Sequence, residues 1–331
     1  MAKTLPSTTH FRAFFVYICM NTSSPKSPRP AAGRFLAGNA CILVATIFWG
    51  VNVSFTKALI PEWMTSESIS AVRLIGGCIL FWLASAFVRN TPIARHDWHR
   101  LVLGGFVGLF GFIYLFVMSL RYANPINVSI IMTLPPVFVI LIGVLFRHRR
   151  PSWLEGAGVA ISFVGAVIVI AGEGTGKAGQ DNLLGDCLAV ASCICYAFYL
   201  VILEGPTRRY RPVSLLRWVF FFAAIPAILL TIGFDRLPIL HTSEAAPWLE
   251  IGFILLCPTF IAYFLVQPAI RSIGSELVSL YQYLLPVFAT ISAVIMGLDR
   301  LRWLQVAAML IIVAGMILTN LAKKKHSGTG S

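Results

Sequence analysis

Inside the apolar stretches of this 331-residue chain, the side chains able to do chemistry are almost all uncharged. Trp49, Asn52, Tyr114, Thr133, Tyr196 and Tyr199 come first, and Tyr263, Gln267, Gln282 and Tyr283 follow. Rings with a polar tip, amides and hydroxyls hold a molecule by stacking and hydrogen bonding. They supply no acid, base or nucleophile pair to break one. Tyr281-Gln282-Tyr283 just before Pro286, opposite Thr133 just before Pro136, makes the best single lining for such a site. A Tyr or Trp near a helix end also suits a membrane interface, but Trp49, Tyr114, Gln282 and Tyr283 lie too deep in their stretches for that account.

Charge is sparse there and therefore informative. Arg73 sits six residues into its stretch, about 9 Å along a helix, and Arg217 is placed similarly in a later one. An ionisable group inside hydrocarbon marks a solute path, a gate or a counter-charge; the plainer account is a long stem that lifts the guanidinium to the headgroups. Lys57 and Glu204 stand at helix ends, where Glu204 could pair with Arg208 to close a gate, or simply be solvated. Glu276 and Asp186 begin their stretches, where a negative charge favours a helix N-terminus. No carboxylate falls in the middle third of any stretch, so a deeply buried proton carrier is missing.

Catalysis finds no footing. The six histidines lie outside the apolar stretches, and His96-Asp97 with His99, in one short loop, is their nearest approach to a cluster. The seven cysteines show no metal-ligand spacing; Cys193-x-Cys195 puts two thiols on different sides of a helix. Neither a metal nor a cofactor is expected. Pro136, Pro268 and Pro286, by contrast, fall inside apolar stretches, where a missing backbone donor bends a helix and supplies a hinge.

The elements that must position these residues are membrane helices. The chain is 58% apolar and 12% charged, against about 25% charged in a soluble domain. Its mean hydropathy is +0.82. The net charge of +13 is held in short clusters between apolar runs rather than in a stripe with interleaved aromatics, which argues against nucleic acid. Ten stretches of about 20 residues can each cross some 30 Å of hydrocarbon: 35–57, 67–88, 101–120, 125–146, 152–172, 183–203, 213–233, 248–270, 276–297 and 303–322. Breaks fall at Pro61, Pro92, Asn124-Pro125, Pro151, Gly172–Asn182, Gly205-Pro206, Pro238, Pro247 and Gly274. Residues 1–34 read as a disordered cytoplasmic segment, with Met20 a possible true start, and 323–331 as a cytoplasmic tail.

The chain repeats itself. Arg121–Ile168 laid on Arg271–Leu318 gives 14 identities in 48 pairs without a gap, among them Pro136/Pro286, Trp153/Trp303 and Gly165/Gly315. Shared apolar composition does not align a proline, a tryptophan and a glycine in one register. Slightly shorter shifts pair Trp49 with Tyr196, Lys57 with Glu204 and Arg73 with Arg217. The units are 35–172 and 183–322, five spans each, and an odd number turns the second unit upside down in the membrane. Inverted repeats facing each other across a midplane site are how secondary carriers are built. With the N-terminus inside, 18 Lys and Arg fall in cytoplasmic segments and six outside, so both termini are expected in the cytoplasm. Spans five and ten carry few polar groups and are expected to pack peripherally or at a dimer contact. Gly104 and Gly108, four apart, are expected to let another helix approach closely.

Phe48-Trp49-Gly50-Val51-Asn52 resembles the aromatic-Trp-Gly signature in the first helix of the EamA-type drug/metabolite transporter superfamily. Ala71-Val72-Arg73-Leu74-Ile75 is similar to its Arg-containing second-helix motif, and the stretches leading to Pro136 and Pro286 resemble those around its fourth- and ninth-helix prolines. The resemblance covers residues 35–322. It implies an all-α protein of ten transmembrane helices, exporting or exchanging a small organic solute across the inner membrane. An amino acid or related metabolite is the first expectation. A nucleotide-sugar or sugar-phosphate exchanger is the alternative, and a membrane-embedded enzyme a more distant one. Partners are then the solute and the lipid bilayer, with the chain a monomer or homodimer.

Overall fold

A computed structural model of the chain describes residues 32–60, 62–147, 153–171, 177–232 and 237–328. Expectations for residues 1–31, and for the breaks at Pro61 and Pro151, lie outside the described residues; so does that for the Glu276 side chain. Among the described residues there are thirteen α-helices and no strand. In order they are α1 Ala32–Leu59, α2 Ser66–Ala86, α3 Trp98–Leu103, α4 Phe110–Tyr122, α5 Pro125–Ile131, α6 Pro135–Arg147 and α7 Trp153–Ala171. Then come α8 Lys177–Arg209, α9 Pro212–Ala227, α10 Ala245–Ile254, α11 Ala262–Tyr281, α12 Leu285–Ile295 and α13 Trp303–Gly328. Local sequence explains many ends. Thr65 caps α2 by accepting from the Ser68 amide at 3.2 Å. Pro125 and Pro212 open α5 and α9 at the first turn, where a missing N–H is harmless.

Among the described residues, seven helical stretches are long and apolar enough to cross a membrane, matching the first four and the sixth to eighth expected spans. Shorter apolar helices at Gly156–Ile168, Gln282–Ile295 and Trp303–Gly315 stand where the fifth, ninth and tenth were expected. Large apolar side chains such as Ile79, Leu83, Leu229, Leu249 and Ile295 are turned outward, as lipid allows and water would not. Several buried hydroxyls are satisfied within their own helices: Thr46 donates to the Ile42 carbonyl, Ser70 to Ser66 and Ser119 to Phe116.

Several spans are not plain helices. A π-helical turn, Gly104–Leu109, joins α3 to α4, and another, Leu255–Ile261, joins α10 to α11. The fourth span, expected over 125–146 with a proline bend, is interrupted at Met132–Leu134, because Pro135 and Pro136 cannot donate to the turn before them. The break expected at Gly274 is absent, and α11 runs through it to Tyr281 before a 3-10 turn at Gln282–Leu284. A lone glycine weakens a helix by only about 1 kcal/mol relative to alanine.

Packing brings distant helices together. α1 lies against α11 and α12, α8 against α4 and α6, α2 against α9, and α7 against α13. Small residues set the closest approaches. A Cβ on Gly108 would stand 3.0 Å from the Tyr199 Cα, and one on Gly111 2.8 Å from the Cys195 sulfur. Along α7 and α13 the contacts are reciprocal. A Cβ on Gly165 would meet Ile312 and the Ala308 carbonyl, and one on Gly315 would meet Ser162 and the Gly158 carbonyl.

Candidate functional site

The polar residues of the helix interiors converge between α1, α2, α4, α6, α8 and the turn before α12. A cavity of about 40 Å³ opens there, lined by Trp49, Asn52 and Val53 from α1, Arg73 from α2, and Phe112 and Phe116 from α4. Met132 and Pro135 at the broken fourth span, Tyr196 from α8, and Gln282 with Leu285 complete it. It has room for a few water-sized molecules. Asn52, Tyr196 and Gln282 are all less than a tenth exposed.

Arg73 is 2% exposed. Its Nε donates to Thr259 Oγ1 at 3.1 Å, and its guanidinium lies 5.8 Å from the Phe116 ring centre. Its Nη1 is buried with no hydrogen-bond partner among the described residues. The Thr259 contact follows from local chemistry. Pro258 has no N–H to give the Ile254 carbonyl, the span runs as a π-helical turn there, and the Thr259 hydroxyl also donates to that carbonyl at 2.8 Å. The Pro258 carbonyl in turn accepts from Trp49 Nε1 at 3.0 Å, fixing the indole at the cavity wall.

Aromatic rings form a second layer. Tyr263 meets Trp49 edge-on with centroids 5.8 Å apart, and Tyr199 stacks on Tyr196 at 5.9 Å. Tyr196 and Gln282 line the cavity together. The Tyr263 hydroxyl and Gln267 Oε1 are buried without hydrogen-bond partners among the described residues.

The remaining sequence candidates stand elsewhere. Tyr114 stacks on Phe110 along its own helix, and the Thr133 hydroxyl donates to the Ile130 carbonyl at 2.7 Å. Tyr283, next to the lining residue Gln282, packs against the apolar core. Arg217 lies over the rings of Trp82 and Trp218, at 5.2 and 5.5 Å. Lys57 Nζ donates to the carbonyls of Leu120 and Ala123, at 2.7 and 3.1 Å, closing the C-terminal end of α4 where a cation is favoured. Glu204 and Arg208 form the expected pair at 3.5 Å, exposed on α8. Pro136 lies in the first turn of α6, Pro268 inside α11, and Pro286 in the first turn of α12.

Each end of the bundle also has its own lock. At one end the fully buried Asp97 accepts from the Tyr210 hydroxyl at 2.8 Å and from Arg209 at 3.2 Å, tying the α2–α3 loop to the end of α8. Arg271 donates there to the carbonyls of Thr207 and Tyr210. At the other end Asp299 accepts from the Ile126 amide at 3.4 Å. Burial raises its carboxyl above the ordinary range, against the pull of the Arg300 and Ile126 amides and of Arg302 and Lys57.

Sequence reasoning did not single out Phe112, Phe116, Met132, Val53 and Leu285. Among 24 phenylalanines, two at helical spacing carry no distinguishing mark. Pro258 and Thr259 were not singled out either, although a proline followed by a hydroxyl inside an apolar run signals a carbonyl without its α-helical donor and a hydroxyl beside it.

Comparison with known proteins places these features. The sequence model of the EamA-like transporter family matches residues 36–171 and 183–321. The uncharacterized transporter YyaM of Bacillus subtilis (strain 168) is 22% identical over 285 residues, covering 83% of this chain and 91% of its own. An uncharacterized transporter of Archaeoglobus fulgidus is 28% identical over 229 residues, 68% of this chain and 75% of its own. The aromatic amino acid exporter YddG of Ancylobacter novellus is 23% identical over 289 residues, 85% of this chain and 96% of its own. One solved crystal structure superposes with a TM-score of 0.59 at 20% identity, covering 88% of this chain and 99% of that one, a likeness of fold.

Proposed function

The chain belongs to the EamA-like transporter family, matched in both its halves, and on that premise we propose that it is a secondary carrier. In this reading it moves a small organic solute, an amino acid or related metabolite, outward across the inner membrane by alternating access. One observation carries the reading. A single cavity takes Trp49, Asn52, Arg73, Phe112 and Met132 from the first matched stretch and Tyr196, Gln282 and Leu285 from the second. A site shared between two halves can face either side as they rock. The naming of a relative as an aromatic amino acid exporter agrees with its aromatic wall.

The same reading makes the halves an inverted five-plus-five repeat, with the three shorter apolar helices completing ten spans. Its support is the exchange of packing partners. α1 with α11 is answered by α8 with α4, and α1 with α12 by α8 with α6. The π-turns at Gly104–Leu109 and Leu255–Ile261 fall in matching spans. The interruptions at Met132–Leu134 and Gln282–Leu284, beside Pro136 and Pro286, flank the cavity and serve as hinges, with Pro268 and Pro258 bending the eighth span.

The test is flux. Purified protein in liposomes loaded with labelled amino acids is expected to release at least one of them well above empty liposomes, with loss of release in Trp49→Ala or Gln282→Ala. Release indistinguishable from empty liposomes for amino acids and for other small metabolites alike removes the carrier reading.

A further inference from the structure

We propose that Arg73 is the receptor for a carboxylate on the solute, so that the cargo is a monoanionic acid with an apolar or aromatic body. The inference deepens the carrier reading and rests on it. Its starting point is a charge without an answer. Arg73 is 2% exposed, and no acidic side chain forms an ion pair with it among the described residues. A guanidinium taken from water and left without an anion is costly, and a fold retains it where something else supplies the charge. Here one nitrogen is already committed: Nε is held by Thr259 at 3.1 Å, which fixes the plane of the fork. Nη1 is buried and unpartnered among the described residues, on a residue that lines the cavity.

The chemistry of the remaining lining narrows the anion. Arg73 is the one charged residue in that lining. A phosphate ester carries about −1.5 to −2 at neutral pH and would bring surplus negative charge into a wall with a single positive one. A carboxylate carries −1 and matches the planar fork of an arginine. Phe116 lies against the guanidinium itself, and Trp49, Phe112 and Tyr196 complete an aromatic lining that suits an apolar body. Among the described residues no carboxylate lines the cavity to answer an ammonium. The α-amino group of an amino acid, if present, is left to Asn52, Gln282 and the ring faces, and acids lacking it should bind as well.

A panel of small probes on one phenyl frame tests this. Wild-type protein in detergent is titrated with 3-phenylpropanoate, 3-phenylpropanamide, 2-phenylethylamine and phenyl phosphate in chloride-free buffer, with quenching of tryptophan fluorescence as the readout. The carboxylate is expected to bind about ten- to a hundredfold tighter than its neutral amide, the range of one charge-assisted contact, with amine and phosphate weaker still. In Arg73→Gln the carboxylate should fall to the affinity of the amide while the amide is unchanged. Arg73→Lys should restore part of the difference. If Arg73→Gln does not fold, the wild-type ranking and the lysine variant still decide. The proposal is overturned if the amide or the amine equals the carboxylate, if the phosphate binds best, if the preference survives Arg73→Gln, or if the carboxylate fails to bind. In each case flux of some solute in liposomes would leave the carrier reading standing; only its absence removes that.

Discussion

Arg73 and Arg217, 144 residues apart and each the arginine of its half's second apolar stretch, both lie against aromatic rings. Each has one buried nitrogen unpartnered among the described residues, but they differ in burial and in access to the cavity. Arg73 is buried at the cavity wall, whereas Arg217 is half-buried between Trp82 and Trp218, with Trp82 39% exposed on the outer face. The two halves supply the same residue type, and packing gives one copy to the site and the other to the scaffold.

Arg217→Gln should therefore behave as a stability variant. It removes two cation–π contacts at a partly exposed position, worth about 1 kcal/mol together. Solute affinity should stay within about twofold. Thermal unfolding beside a binding titration checks both, and a binding loss as large as that of Arg73→Gln would contradict the distinction.

The contact between α7 and α13 should tolerate no side chain at either glycine. A Cβ on Gly315 would stand 2.6 Å from the Gly158 carbonyl, and one on Gly165 3.0 Å from the Ala308 carbonyl. Because backbone must move, Gly315→Ala and Gly165→Ala are each expected to cost about 1–3 kcal/mol. Gly156, with nothing within 4 Å, is the control, and Gly156→Ala should be neutral or slightly stabilising. Unfolding midpoints of the three variants in one detergent decide the matter.

Asp97 is the hub of the lock between the α2–α3 loop and α8. Asp97→Ala leaves the Tyr210 hydroxyl and Arg209 without their acceptor and should cost about 2–3 kcal/mol, Tyr210→Phe about 1. In flux measurements Asp97→Ala is expected to leak at lower substrate gradients than wild type. Unchanged stability and unchanged flux in Asp97→Ala would remove its role as a lock.

The raised carboxyl of Asp299 carries a pH signature. Its folded state holds the proton at pH values where an unfolded chain, with a carboxyl near about 3.9, has lost it. Stability should thus fall as pH rises from about 4 through the raised value, then stay flat. Asp299→Asn should remove that slope and be at least as stable at neutral pH. A slope that persists in Asp299→Asn assigns it to another group.

The expected topology is open to direct test. Fluorescent-protein fusions after residue 328 should glow, and alkaline phosphatase there should be inactive, if the C-terminus is cytoplasmic. Phosphatase inserted at Arg300 should be active. The reverse pattern would invert the whole assignment.

The sequence alone carried the apolar stretches, the internal repeat and the family resemblance, because each is written in composition and register. Membrane helices announce themselves by length, and a repeat by identities such as Pro136/Pro286 and Trp153/Trp303 at one shift. It also named Trp49, Asn52, Arg73, Tyr196 and Gln282, since a polar or aromatic group in hydrocarbon stands out. What it could not assign was direction. In water one face of a helix is polar and points outward, but in lipid both faces are apolar, so hydropathy does not tell Phe112, facing the cavity, from Leu83, facing outward. Tertiary packing alone decided that, and with it the division between Arg73 and Arg217 and the capping of α4 by Lys57. Such choices depend on which helix lies opposite, a fact spread over contacts hundreds of residues apart, as in the hydrogen bond from Trp49 to the Pro258 carbonyl.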